Sequence, residues 1–164
     1  MDMQTADARL HGMARLAERI GLVGGLVSLA VGCLVTVSVI GRWLFNTGVP
    51  GDFEFVQMGA ALTVFFFLPA CQARRGNIVV DSFTGFLTER ARNRLDALWD
   101  IVYGLVMAAI GGCMVIGTLE AFRTRTTTMV LQLPQWPALL VATLLLFVLA
   151  AVCFWTARTL LRAR

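Results

Sequence analysis

The sequence has no lysine and only one histidine, so its 14 basic residues are all arginine. The histidine, His11, precedes the first long apolar run and lies on the polar side of the N-terminal segment. A haem-binding membrane anchor needs axial ligands inside its spans. The apolar runs contain no histidine, and this strongly disfavours a haem subunit.

The cysteines are few and widely spaced. There are four, Cys33, Cys71, Cys113 and Cys153, one in each apolar run and none in a CxxC pair. A thiol oxidase of four helices would need reactive pairs in its outer loops, whereas a cysteine in an apolar run usually acts as a small hydrophobic residue. The pattern therefore disfavours a membrane redox enzyme.

Charged residues are absent from the interior of the apolar runs. Every Asp, Glu and Arg lies at or beyond the end of a run, and Gln57 and a few hydroxyl residues are the polar groups left inside. Ion-coupled transporters usually carry an ionisable group at membrane depth, so an autonomous small transporter is disfavoured. The sequence also has no nucleophile–base pair and no cluster of metal ligands. We therefore expect neither an enzyme nor a bound cofactor.

What the sequence does have is apolar length. The apolar fraction is 58%, and it is concentrated in four runs. A transmembrane helix needs about 20 apolar residues to cross a hydrocarbon core about 30 Å thick. The first run is too long for the core of a cleaved signal peptide, and we interpret it as a retained span. The sequence predicts an all-α integral membrane protein in which residues 1–164 form a single membrane domain. Its four predicted spans are about 20–41, 55–73, 99–119 and 137–157.

The arginines and tryptophans predict the orientation of these spans. The N-terminal segment, the basic loop 74–98 and the C-terminal tail hold eleven arginines, and the other two loops hold three. Because basic short loops stay in the cytoplasm, both termini are predicted to be cytoplasmic in a bacterial inner membrane. This asymmetry explains the net charge of +4 without a nucleic-acid partner. Tryptophan prefers the headgroup level, and we expect interfacial anchors at Trp43 and Trp136 (outer ends) and at Trp99 and Trp155 (inner ends).

Two further helical segments are predicted at the inner surface. Residues 2–19 repeat apolar side chains at steps of three and four, which indicates an amphipathic helix lying on the membrane before span one. A frayed segment that only helps to set the topology is the alternative. A short interfacial helix is expected between spans two and three, followed by a third long helix that starts near Thr88.

Two spans carry small residues at four-residue spacing. They are Gly24, Ser28 and Gly32 in span one, and Gly104, Ala108 and Gly112 in span three. Small residues let helix backbones approach closely in a membrane. Packing within the four helices is the favoured explanation, and contact with a second protein is the alternative.

The stretch GRWLFNTGVPGDFE, residues 41–54, gathers polar groups directly after span one. Arg42, Asp52 and Glu54 are candidates for a cluster that holds the turn between spans one and two. The alternative is that Arg42 extends to the headgroups and both acids are solvated. The sequence does not decide between these arrangements, or between Asp52 and Glu54 as the partner of Arg42.

Four short motifs in order resemble a known family. RWLFN at 42–46, the turn and acids at 50–54, NIVVD at 77–81 and the LPxW pattern at 133–136 are similar to the small membrane subunit of tripartite ATP-independent periplasmic (TRAP) transporters, the DctQ-like proteins. The resemblance covers about residues 20–157, although Asn77 stands where the family often has histidine. It implies that Arg42, Asn46, Glu54 and Asp81 hold the fold and its contacts and that none of them binds substrate.

The resemblance also implies partners. In this family a periplasmic substrate-binding protein delivers an organic anion to a large membrane subunit, which carries it, usually with sodium ions. The small subunit packs against the static part of the large one, and its outer loops around Asp52 and Arg123 are candidates to meet the binding protein. The small four-span subunit of a tripartite tricarboxylate transporter is the alternative.

Overall fold

The computed structural model describes residues 3–74 and 88–162, and these residues form helices and loops without a β-strand. The helices are α1 (Met3–Phe45), α2 (Asp52–Ala73), α3 (Glu89–Arg123) and α4 (Trp136–Arg162). Each contains a stretch that is long and apolar enough to cross a membrane. The all-helical fold with four spans is thus confirmed. The third helix begins next to Thr88, as its sequence predicts.

The N-terminal segment does not form a helix of its own. α1 is continuous from Met3 to Phe45, so residues 3–19 are its first turns, and there is no break before the apolar run. The interfacial helix predicted between spans two and three falls on residues 75–87, which lie outside the described residues, as does Asp81.

α1 and α2 are joined by a short loop with two left-handed residues. Asn46, with φ 54°, directly follows α1, and Gly51, with φ 71°, directly precedes α2. Asparagine and glycine are the residues that most readily adopt this conformation. Gly51 also lies against the side chain of Leu131 from the loop before α4, where an added Cβ would collide. The backbone of this turn is therefore fixed both by its own conformation and by a second loop.

The helices pack in the order α1–α2–α4–α3. The main contacts are those of α1 with α2, of α2 with α4, and of α4 with α3. α4 is covered on two sides, and 44% of its most apolar stretch is buried, against 6% for α1. The central cluster consists of Leu146, Leu149 and Cys153 on α4, against which side chains of α2 and α3 pack. Most of the surface of α1 is left uncovered.

The two ends of the bundle differ in their connections. The loop end carries the 46–51 and 124–135 loops, and the terminal end carries the last turn of α2 and the first turns of α3. At the terminal end Gln72 is buried and its Nε2 donates to Asp100 Oδ1 at 2.8 Å, which joins α2 to α3. Nearby, the exposed Arg74, which directly follows α2, forms an ion pair of 3.3 Å with Glu18 of α1.

Candidate functional site at the loop end

The first cluster at the loop end joins α1 to the start of α2. Ser38 Oγ donates to Asp52 Oδ2 at 2.5 Å, and the guanidinium of Arg42 donates to the same oxygen. Ser38 and Arg42 are four residues apart and therefore lie on one face of α1. Ser38 is buried, and its Oγ also accepts a hydrogen bond from the Val49 amide at 3.3 Å. Asp52 is thus the partner of Arg42, and Ser38 connects this carboxylate of α2 to the 46–51 loop through the Val49 amide.

Glu54 makes a different connection. Its carboxylate accepts hydrogen bonds from the backbone amides of Val130 at 2.6 Å and Leu131 at 3.0 Å. The side chain is buried, and it lies in the first turn of α2, where the helix dipole favours negative charge. Glu54 therefore ties α2 to the loop that precedes α4, two elements that are distant in sequence.

The 124–135 loop is ordered by hydrogen bonds of its own. The Thr128 amide donates to the Leu133 carbonyl at 3.0 Å, and the Leu133 amide donates to Thr128 Oγ1 at 3.0 Å. At its tip Met129 is 99% exposed and Val130 is 67% exposed, although the Val130 amide is held by Glu54. The loop thus presents two apolar side chains outward on a fixed backbone.

A cavity of about 640 Å³ opens below this loop, between α2 and α4. Its polar lining consists of Asp52, Glu54, Gln57, Thr128 and Gln135, and Gln57 is exposed. Glu54 therefore both ties the two elements together and borders the space between them.

The small residues of span one divide between two environments. Gly24 is buried, and a Cβ there would lie 2.7 Å from the Cβ of Phe66 on α2. Ser28 and Gly32 are exposed, and nothing lies within 4 Å of the position of a Gly32 Cβ. They line a shallow depression on α1, which also includes Thr36 and is bordered by Phe67 of α2. Packing inside the chain therefore accounts for Gly24 but not for Ser28 or Gly32.

The small residues of span three divide in the same way. A Cβ on Gly104 would lie 3.0 Å from the Cβ of Cys153, so this glycine allows α3 to approach α4. Ala108 is partly buried, whereas Gly112 is exposed and faces open space. Gly111, which the four-residue spacing does not include, packs against Phe147 of α4.

The predicted anchors lie near the two ends of the bundle. Trp43 and Trp99 are exposed, and Trp155 is partly buried. Trp136, at the start of α4, is partly buried and packs edge-to-face on Phe122, with ring centroids 5.4 Å apart. Asn46 is exposed, and its structural contribution is the left-handed end of α1.

Sequence reasoning missed the bonds of Glu54 to the 124–135 loop. Its partners are main-chain amides, which every residue but proline offers, so no residue pattern marks them. The sequence does show that Glu54 is an acid in the first turn of a predicted helix. It does not show that this acid is buried, and burial is what would have indicated a specific partner.

The described part of the chain shows neither a metal-ligand cluster nor a disulfide bond. Residues 3–74 and 88–162 contain no group of three or more His, Cys, Asp or Glu side chains placed to hold a metal ion. None of the four cysteines is in a disulfide bond. The contacts at the loop end join α1 to α2, and α2 to the loop before α4.

Comparison with known families gave one result. The family model described as tripartite ATP-independent periplasmic transporters, DctQ component, matches residues 31–163. The matched range runs from the middle of α1 to the end of α4 and includes both clusters of the loop end. Searches of curated proteins and of solved structures gave no match.

Proposed function

The chain belongs to the DctQ family, the small membrane component of tripartite ATP-independent periplasmic transporters, and we propose that it anchors and supports the large transport subunit. In this role it takes part in the ion-coupled uptake of an organic acid that a periplasmic binding protein delivers. The family match favours this function over that of a small subunit of a tripartite tricarboxylate transporter.

The exposed small-residue face of α1 carries the proposal. Ser28, Gly32 and Thr36 recur at four-residue spacing along a depression on the least buried helix. Apolar side chains alone would satisfy contact with lipid, whereas small residues allow a second helix backbone to approach. We therefore propose that a transmembrane helix of the large subunit packs against this face of α1.

The lack of charge within the spans supports a division of labour. Residues 20–41, 55–73, 101–119 and 137–157 contain no Asp, Glu or Arg. Ionisable groups at membrane depth normally mark the path of ions and substrates. Substrate binding and ion coupling are therefore assigned to the large subunit, and this chain contributes no ligand to either.

The orientation follows from the distribution of arginine. Both termini are placed in the cytoplasm and the loop end in the periplasm of a bacterial inner membrane. The 46–51 and 124–135 loops then face the periplasmic binding protein. Asp52 and Arg123, which adjoin these two loops, are candidates for the contact with the binding protein.

Co-purification tests the proposal. The chain is expressed with the large subunit, only the large subunit is tagged, and the pair is extracted in mild detergent. We expect a stoichiometric pair that takes up solute in liposomes only with the binding protein and an ion gradient. Gly32→Leu should reduce pairing strongly, because it fills the depression on α1.

Gly117→Leu is the matched control for that variant. Gly117 is also exposed and also has nothing within 4 Å of its Cβ position, but it lies on α3. Equal pairing of both variants would reject the assignment of the α1 face. A chain that purifies alone and moves solute unaided would reject the subunit function itself.

A further inference from the structure

The polar side chains that line the cavity below the 124–135 loop lie at its loop end. Glu54, Gln57 and Gln135 are among them, beside the apolar Phe53, Met129 and Val130. Toward the middle of the bundle the wall is apolar. The apolar wall includes Met58, Leu62, Phe65, Met114, Leu139 and Ala142. The volume of the whole cavity, about 640 Å³, is in the range of small-molecule sites.

The length of the whole cavity along α2, from its polar end to its apolar end, is close to the depth of one leaflet of a bilayer. A rise of about 1.5 Å per residue places Phe65 about 16 Å from Glu54 along α2. Half of a hydrocarbon core about 30 Å thick is about 15 Å. Because α2 and α4 are membrane spans, the polar end of the cavity lies at headgroup depth and its apolar wall extends toward the middle of the bilayer.

The charge at the polar end is negative. Asp52 and Glu54 are the charged side chains among the described residues that line the cavity, and none of those residues is basic. Arg42 balances the charge of Asp52 through their ion pair. Glu54 receives hydrogen bonds from neutral backbone amides, so its charge is not balanced by a cation in those contacts.

We propose that this cavity binds one phospholipid with a primary ammonium headgroup, phosphatidylethanolamine. The ammonium group is attracted by Glu54 and meets the side-chain amides of Gln57 and Gln135. An acyl chain lies along the apolar wall of α2 and α4. An anionic lipid such as phosphatidylglycerol has the same chain but the wrong headgroup charge for this site.

The test measures lipid retention. The purified full-length chain is equilibrated with mixed micelles that contain equal amounts of phosphatidylethanolamine and phosphatidylglycerol, and the lipids retained are counted by native mass spectrometry. We expect wild type to retain one phosphatidylethanolamine in several-fold excess over phosphatidylglycerol. Gln57→Arg, on the exposed rim, should reverse this preference without loss of the bound chain.

A pair of adjacent alanines provides the steric control. Ala61 lines the cavity and Ala60 does not, although both are exposed on α2. Ala61→Trp should abolish specific retention, whereas Ala60→Trp should leave it at the wild-type level. If Ala61→Trp fails to fold, the reversal by Gln57→Arg still decides the question.

Three outcomes would overturn the proposal. Equal retention by wild type, Ala61→Trp and Ala60→Trp would mean that only unspecific surrounding lipid is bound. An unchanged preference in Gln57→Arg would place the headgroup elsewhere. The same lipid count on the co-purified complex with the large subunit is the third measurement, and an absence of bound lipid there would mean that a protein side chain fills the cavity. Each of these results is compatible with intact co-purification, so it is distinguishable from a failure of the proposed function.

Discussion

The carboxylate of Glu54 accepts a hydrogen bond of 2.6 Å from the backbone amide of Val130, which lies 76 residues further along the chain. The bond connects the first turn of α2 to the loop before α4, so the two halves of the chain are joined at the loop end as well as in the core. It also explains how Met129 and Val130 can be exposed on an ordered loop.

Replacing Glu54 by glutamine should loosen the 124–135 loop. A glutamine side chain has one acceptor oxygen and no charge, so one of the two amide bonds is lost and the other is weakened. We expect the Val130 and Leu131 amides to exchange hydrogen faster by about tenfold or more, measured by exchange mass spectrometry. Glu120→Gln, at an exposed acid near the end of α3, is the control and should leave these amides unchanged. Unaltered protection in Glu54→Gln would show that the loop is held by its internal bonds alone.

The pairing of Arg42 can be tested by a double-mutant cycle. Because Arg42 contacts Asp52, the melting-temperature losses of Arg42→Ala and Asp52→Ala should overlap, and the double variant should lose less than their sum. The losses of Arg42→Ala and Glu54→Ala should add, since Glu54 binds the 124–135 loop instead. Thermal unfolding of the detergent-solubilised chain provides the measurement. Additive losses for Arg42 and Asp52 would contradict the ion pair.

Two adjacent glycines of α1 should differ sharply in their tolerance to substitution. A Cβ on Gly24 meets Phe66 at 2.7 Å, whereas nothing lies within 4 Å of a Cβ on Gly25. Gly24→Leu should therefore separate α1 from α2 and destabilise the isolated chain by about 1–3 kcal/mol, the usual cost of overpacking. Gly25→Leu should be nearly neutral in the same unfolding assay. Similar losses for both variants would mean that helix flexibility, rather than packing, dominates at this site.

The contact between the hydroxyls of Thr118 and Thr143 should contribute little to the stability of the chain. Their oxygens lie 3.2 Å apart between α3 and α4, but each hydroxyl also donates within its own helix, to the carbonyls of Met114 and Leu139 at 2.7 Å. A hydroxyl has one hydrogen, so two such donations leave none for the contact between the helices. Thr143→Val should lower the free energy of unfolding by about 0.6 kcal/mol or less. A loss several times larger would show that the interhelical bond is the one formed.

The sequence was sufficient for the spans because their signal is local. The four uncharged runs of membrane length correspond to the four helices of the structure. The start of α3 next to Thr88 was also predicted from the sequence. The continuity of α1 could not be predicted from the sequence. Periodicity shows which residues share a face of a helix, but not whether the helix bends at the membrane surface.

The candidate site was predictable only in part. The order of Arg42, Asp52 and Glu54 in the sequence indicated a cluster, but choosing between the two acids requires knowing which face of α2 meets α1. The small-residue spacing indicated packing surfaces, but not that Gly24 faces α2 while Gly32 faces outward. Such orientations depend on contacts between helices, which a single sequence does not record.

The order of contacts along the chain also sets an order of assembly during synthesis. α1 and α2 form an antiparallel pair with the Arg42–Asp52 bond, and every residue of this pair is synthesised well before Val130 and Leu131. Glu54 has no such local partner and must wait until Val130 and Leu131 have been made and inserted. A nascent chain halted before that loop therefore exposes a carboxylate at the edge of the bilayer. Once the Glu54 bonds have formed, the loop between α3 and α4 is joined to the α1–α2 pair.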